Sequence, residues 1–324
     1  MLTLFLPADA ATQRLPLGEL PSTLPQALWY DLLEPTTAEI HAVQRSLGIE
    51  LPSREEMQEI EVSSRLYEED GALFMTVSIM SKFDSGRPET NAVTFVLTPK
   101  ALVTVRYADP LPFIQFSNRV QRNPGQWSGA DVVWTGLLET LVDRVADVLE
   151  RISADLERTG QRVFDHKDTR GRTGVALEEA LSKIGRSGQM VSGISESLMT
   201  LNRAIAFAGN IGGSWLRKDA RNSLKMLTRD IKSLHDHAAF LSQKVNFLLD
   251  ATLGLINIEQ NAIIKIFTVA SVAFLPPTLI ASIYGMNFEL QPELKWDFGY
   301  PLALFLMLLS ALGPYYYFKR KGWI

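Results

Sequence analysis

The chain has 324 residues, 46% of them hydrophobic, with 32 basic against 36 acidic side chains and a net charge of −4. That balance excludes nucleic acid as a partner, because phosphate binding needs a basic surface. Cysteine is absent, which excludes disulfides and thiolate metal sites.

The start, Met1-Leu2-Thr3-Leu4-Phe5-Leu6-Pro7, has no basic residue and too short an apolar run for a secretory signal. The N-terminal part is therefore expected to stay in the cytoplasm. Residues 1–125 read as a mixed α/β domain. Ala27–Leu32 reads as a strand, and Thr36 or Thr37 caps a helix running to about Leu47. Ser53 and Glu56 form a capping box that opens a short second helix. Leu73–Met80, Ala92–Leu97 and Leu102–Tyr107 are predicted strands by their Val, Thr, Phe and Ile content. Thr98-Pro99-Lys100-Ala101 turns the last two into a hairpin. Glu55, Glu56, Glu59 and Glu61, followed by Glu68, Glu69 and Asp70, form an acidic run. Carboxylates are ligands that a hard divalent cation would take, but a solvated helix face is the better reading of the run.

Residues 126–260 read as long helices. Val133, Leu137, Leu141, Val145, Val148, Ile152 and Leu156 make one apolar stripe in a helix over Val132–Val163. Lys167–Gly174 interrupts it, a second helix covers about Val175–Ala208, and Gly209–Ser214 breaks again. A third helix starts near Lys218 and meets no proline before Pro276. At 1.5 Å per residue it is a stalk of roughly 95 Å that leads into a bilayer. Within it His235-Asp236-His237 has the wrong spacing for chelation, since residues two apart point to different faces.

Residues 261–324 read as a membrane domain. From Ile263 to Tyr284 there are 22 residues with a single charge, Lys265. That length spans roughly 33 Å, enough for a hydrocarbon core of about 30 Å. Asn261, Ile264, Thr268, Ser271, Leu275, Thr278 and Ser282 lie at alternating spacings of 3 and 4, a single helical stripe rich in small polar groups. Lipid offers such groups no partner, so the stripe faces protein or water. Helix packing and a pore explain it about equally well. Pro276-Pro277 is expected to kink the helix, and a hydrated cavity there would satisfy the freed carbonyls. Residues 285–300 form an outer loop with Glu289, Glu293 and Asp297 against Lys295. Pro301–Phe318 is a second, uncharged span of 18 residues. Tyr315-Tyr316-Tyr317 and Trp323 suit the membrane–water boundary, and Lys319-Arg320-Lys321 marks the cytoplasmic side. Both termini are then cytoplasmic.

Tyr284-Gly285-Met286-Asn287 follows the first span, and Pro292-Glu293-Leu294 follows that. In these motifs, and in Trp29–Leu32, Lys244–Leu248 and Phe318–Trp323, the sequence resembles the CorA family of magnesium channels, proteobacterial type. The resemblance implies an α/β cytoplasmic domain, a long helical stalk and two transmembrane helices per subunit, assembled as a funnel-shaped homopentamer in a bacterial inner membrane. It implies passive import of hydrated Mg²⁺, with Co²⁺ and Ni²⁺ as further cargo. Gly285, Met286 and Asn287 would form the selectivity filter, and Phe267, one position off the stripe, a constriction beside Ile264 and Leu275. Glu289 and Glu293 would draw cations to the mouth. Mg²⁺ is also expected as a regulatory ligand, at a site between subunits where Asp250 matches best, with Glu59 or Glu61 as partner. No organic cofactor is expected.

Two spans in one chain cannot enclose a water-filled path, so a pore requires a ring of copies. The chain lacks a phosphate-binding Gly-rich loop ending in Lys-Ser or Lys-Thr, in keeping with passive transport. A related transporter of Zn²⁺ or another transition metal is the alternative. A membrane-anchored α/β sensor or enzyme is a remote one, since no catalytic cluster is present.

Overall fold

The computed structural model describes residues 1–6, 13–15, 21, 24–83, 88–165, 174–212, 215–286, 292 and 296–323. It divides into two compact units, Met1–Asp165 with Ser182–Leu248, and His166–Leu181 with Leu249–Ile324.

In chain order the elements are β1 (Leu2–Phe5), β2 (Gln13–Leu15), β3 (Trp29–Leu33), α1 (Thr37–Leu47), α2 (Val62–Arg65), β4 (Leu66–Glu69), β5 (Ala72–Ser81), β6 (Glu89–Leu97) and β7 (Leu102–Arg106). The helices α3 (Leu111–Arg122), α4 (Ala130–Phe164), α5 (Gly174–Ile211), α6 (Lys218–Tyr284) and α7 (Gly299–Arg320) follow. The strands make one seven-stranded sheet in the order β2-β1-β3-β7-β6-β5-β4. Only β3 and β7 pair in parallel.

Alternation along the strands explains two cores. Tyr30, Leu32, Phe74, Val96, Val103 and Val105 point to one face and pack with Ala42 and Val43 of α1. On the other face Trp29 stacks on Phe5 at 4.1 Å and leans on Phe116 of α3, whose ring meets Trp127 edge-on at 4.9 Å. Every residue of β5 is buried, as a strand covered on both faces requires. Thr36 and Glu39 form a complete capping box at the start of α1, and Gly48, at φ 71°, closes its end.

The expected apolar stripe of α4 is buried throughout, from Val133 to Leu156. Each such side chain contributes roughly 1.5–3 kcal/mol by leaving water. In the first unit α4, α5 and the lower part of α6 pack closely. A Cβ on Gly160 would lie 3.3 Å from Leu248, and one on Gly188 would lie 3.0 Å from Val245. Phe164 stacks on Phe247, and Lys244 binds Glu157 at 2.5 Å.

Two local expectations need correction. Ser53 and Glu56 do exchange capping bonds, yet they open only a single 3-10 turn, Glu56–Gln58. One buried side chain, Met57, gives that turn no apolar face to extend. The acidic run is not a helix face either. Glu68 and Glu69 lie on β4, and Asp70 and Gly71, at φ 51° and 72°, form the tight turn into β5. The interruption expected over Lys167–Gly174 lies mostly outside the described residues.

Candidate functional site

The second unit holds the apolar half of α6 and all of α7. These two helices are long and apolar enough to cross a membrane. None of the most apolar window of α6 is buried, and only 6% of that of α7. A core helix of a soluble protein would be buried, so these surfaces belong against lipid or other chains. α7 extends the expected second span by two residues at each end.

The helix α6 continues through Pro276 and Pro277. Asn261, Ile264, Ser271, Leu275, Thr278 and Ser282 are exposed, and Thr268 is half-buried. Phe267, beside them, is 69% exposed. The half-buried positions Val269, Ala273, Pro276, Ile280 and Tyr284 recur at helical spacing on the opposite side. The polar stripe therefore occupies the face that the chain leaves open. Two of its hydroxyls are already engaged. Thr268 donates to the Ile264 carbonyl and Thr278 to the Phe274 carbonyl, each at 2.7 Å. Their donors are spent within the helix, and their oxygens remain free to accept.

At the end of α6 the Gly285 N–H donates to the Ala281 carbonyl at 2.9 Å, and Met286 donates to Ile283. The positive-φ glycines among the described residues are Gly48, Gly71 and Gly322. Gly285 meets a different constraint: a Cβ there would sit 3.1 Å from the Ala281 carbonyl oxygen. Asn287, Glu289 and Glu293 lie outside the described residues.

The far ends of the two helices come together. Lys265 sits 5.9 Å from the Trp323 ring, so the start of one apolar run and the end of the other lie at one level. Lys319 and Lys321 lie over Tyr315 and Tyr317, and Trp323 packs against Phe318. Rings and cations paired in this way suit a membrane boundary.

The family model of CorA-like Mg²⁺ transporter proteins matches residues 25–320. The chain belongs to the CorA family. A magnesium transport protein CorA of Mannheimia succiniciproducens is 38% identical over 303 residues, 94% of each chain. The CorA protein of Escherichia coli K12 is 38% identical over 301 residues, 93% of each. The complete CorA magnesium transporter structure from Methanocaldococcus jannaschii superposes with a TM-score of 0.74 at 19% identity, covering 100% of this chain and 99% of that one.

The remaining candidates are dispersed. Asp250 is exposed on α6 in the second unit, and Glu59 and Glu61 flank the exposed Ile60 in the first. Among the described residues no three His, Asp or Glu side chains are grouped to hold a metal. His235 and Asp236 are exposed on α6, and His237 packs beside Phe240.

Sequence reasoning missed three polar constructions. Asp31 accepts from Thr104 and from two nitrogens of Arg106, all buried inside the sheet, while Arg106 also binds Asp109. Arg217, just before α6, holds Asp131 in the first turn of α4 through its backbone N–H and its guanidinium. Burial pushes the Asp131 carboxyl up, but the Arg217 bonds and charge outweigh it and leave it below the ordinary value. The hydroxyl oxygens of Ser197 and Thr200 of α5 accept from the backbone N–H groups of Met80 and Ser78 on β5. No spacing rule marks pairs so far apart in sequence.

Proposed function

We propose that copies of this chain form a ring, by family resemblance a pentamer, in a bacterial inner membrane and import hydrated Mg²⁺ along the polar stripe of α6. The observation that carries this reading is the exposure of that stripe on a helix that is otherwise fit for lipid. A neutral row of acceptors left bare toward hydrocarbon is costly, and a shared aqueous axis removes the cost.

The chemistry suits a cation that keeps its water. Mg²⁺ dehydrates reluctantly, so the cheaper path passes the ion with much of its shell. The shell presents O–H groups outward, and the wall must accept from them. Thr268 and Thr278, with their own protons turned back into the helix, offer accepting oxygens. Asn261 and Ser282 add polar groups below and above them. Ile264, Phe267 and Leu275 cannot bond water, and rings of them close the path by dewetting. At the outer mouth Gly285, Met286 and Asn287 read the hydrated ion, the Asn287 amide carbonyl as a ring of acceptors. Glu289 and Glu293 raise the local cation concentration. Co²⁺ and Ni²⁺, whose hydrated ions are similar in size and charge, follow the same path.

Entry needs no nucleotide hydrolysis. A double charge gains about 4.6 kcal/mol per 100 mV of membrane potential, twice the value for one charge. Both termini face the cytoplasm, where a divalent ion bridging Asp250 of one copy and Glu59 or Glu61 of the next favours the closed ring by mass action.

Asn287→Ala tests the reading. In cells lacking other Mg²⁺ importers it should reduce uptake at least tenfold with the protein still in the membrane. Uptake equal to that of the native chain contradicts the assignment.

A further inference from the structure

Lys265 is the one charge between Ile263 and Tyr284, and it stands on α6 where two faces meet. Asn261 and Thr268, four residues before it and three after, belong to the polar stripe. Val269, four residues after it, begins the half-buried row on the opposite side. A lysine ammonium on its flexible four-carbon stem reaches either way. Among the described residues no carboxylate pairs with it. What settles its direction is the Trp323 ring, 5.9 Å from the ammonium nitrogen.

The end of α7 fixes that ring. Gly322 takes φ 70°, the left-handed conformation that suits glycine. Its N–H donates to the Lys319 carbonyl at 3.2 Å, and the Trp323 N–H reaches back to the Phe318 carbonyl at 3.1 Å. These two bonds make a Schellman motif, and the apolar contact that accompanies one is present, with the Trp323 and Phe318 rings 5.1 Å apart. The neighbouring lysines engage rings of their own, Lys319 over Tyr315 and Lys321 over Tyr317. Trp323 is left to Lys265.

The consequence lies in the charge. Swung toward Asn261 and Thr268, the ammonium would stand at the inner end of the stripe, and a ring of copies would multiply it there. A positive ring repels a divalent cation and lowers its local concentration. Taking the stripe as the ion path, we propose that Trp323 is a positioning residue for ion passage: it holds the Lys265 ammonium on the α7 side of α6, out of that path.

The test uses the full chain in liposomes loaded with a Mg²⁺-reporting dye and held negative inside. Trp323→Ala frees the ammonium and should lower Mg²⁺ influx by about fivefold or more through like-charge repulsion. Adding Lys265→Gln removes the charge and should restore influx to within about twofold of the native chain. A ring that only packs the helix end is not rescued in this way, because the second substitution restores no packing. Trp323→Phe keeps an aromatic face and should stay closer to the native chain than Trp323→Ala. Should Trp323→Ala fail to insert, Gly322→Val strains the left-handed turn, displaces the ring and carries the same test. Asn287→Ala, run in parallel, separates two failures. If it transports normally, the path is misread and the role of Trp323 falls with it. If it is slow while Trp323→Ala matches the native chain, or while the double variant stays as slow as Trp323→Ala, the role of Trp323 is overturned and the path stands.

Discussion

Ser197 does work that its neighbours in sequence cannot. The strand β4 covers only the first part of β5, from Ala72 to Met75. Beyond it the N–H groups of Ser78 and Met80 have no strand on that edge to bond. The hydroxyls of Thr200 and Ser197 take those places, at 3.1 and 3.0 Å. Both ends of the Met80 bond are buried. Ser197→Ala therefore leaves a buried donor without its partner, and unfolding by denaturant should show a loss of about 1–3 kcal/mol. Asp131 makes a different prediction, in pH. Its folded pKa is held below the ordinary carboxylate value by Arg217. Its contribution is thus fully present above that ordinary value, near 3.9, and is lost as pH falls through the lower folded pKa. Melting temperatures measured from pH 6 down to pH 2 should fall less steeply for Asp131→Asn than for the native chain. Equal slopes would show that the Arg217 pair does not couple to folding.

At the level of whole elements, two glycines on long helices separate rigid from yielding contacts. A Cβ on Gly136 of α4 would fall 2.5 Å from the Trp127 ring and 2.9 Å from that of Phe116. Those rings are themselves packed edge to face, so neither turns aside without disturbing the layer between α3 and α4. Gly136→Ala should cost about 1–3 kcal/mol in thermal or denaturant unfolding. On Gly193 of α5 a Cβ would meet the tip of Met80 at 2.4 Å, and a flexible thioether repacks easily. Gly193→Ala should cost less than Gly136→Ala. The elements that sequence reasoning found share one property: a long or strongly periodic signal. α4 declared its stripe over seven apolar positions, α6 its long run without proline before Pro276, and β5 to β7 their β-branched content. The elements it missed are short or begin with a breaker. β1, β2 and β4 have three or four residues each, too few for a period to show. α3 starts behind Pro110 and carries Pro112 in its first turn, which reads as a loop unless Phe113, Phe116 and Val120 are taken as one face. A signal for the β4–β5 turn was present in Asp70-Gly71. The acidic residues around it drew attention to charge instead. At the membrane end, the stripe of α6 was legible because its spacing is regular. The Lys265–Trp323 contact was not, since its partners stand at opposite ends of the two spans.

For the whole molecule the decisive question is which side of α6 meets water once copies assemble. A single chain leaves the stripe open and half-buries the opposite face, but lipid and water both count as open. The two solvents differ toward thiols, since a water-soluble thiosulfonate reacts with the thiolate, which forms in water and not in hydrocarbon. The native chain has no cysteine, so each introduced one is read without background. Thr268→Cys, Ser271→Cys and Thr278→Cys place thiols along the stripe. Ile266→Cys, Ala273→Cys and Ile280→Cys place them on the far side of the same helix. If α6 surrounds an aqueous axis, the first three should label at least tenfold faster in intact membranes than the last three, and millimolar Mg²⁺ should slow them. A ring with the helix turned the other way reverses the order. Helices packed tightly through the stripe, with no water between them, protect all six. Of these outcomes only the first is compatible with a hydrated cation moving past Thr268 and Thr278, because accepting oxygens serve such an ion only where its water can reach them.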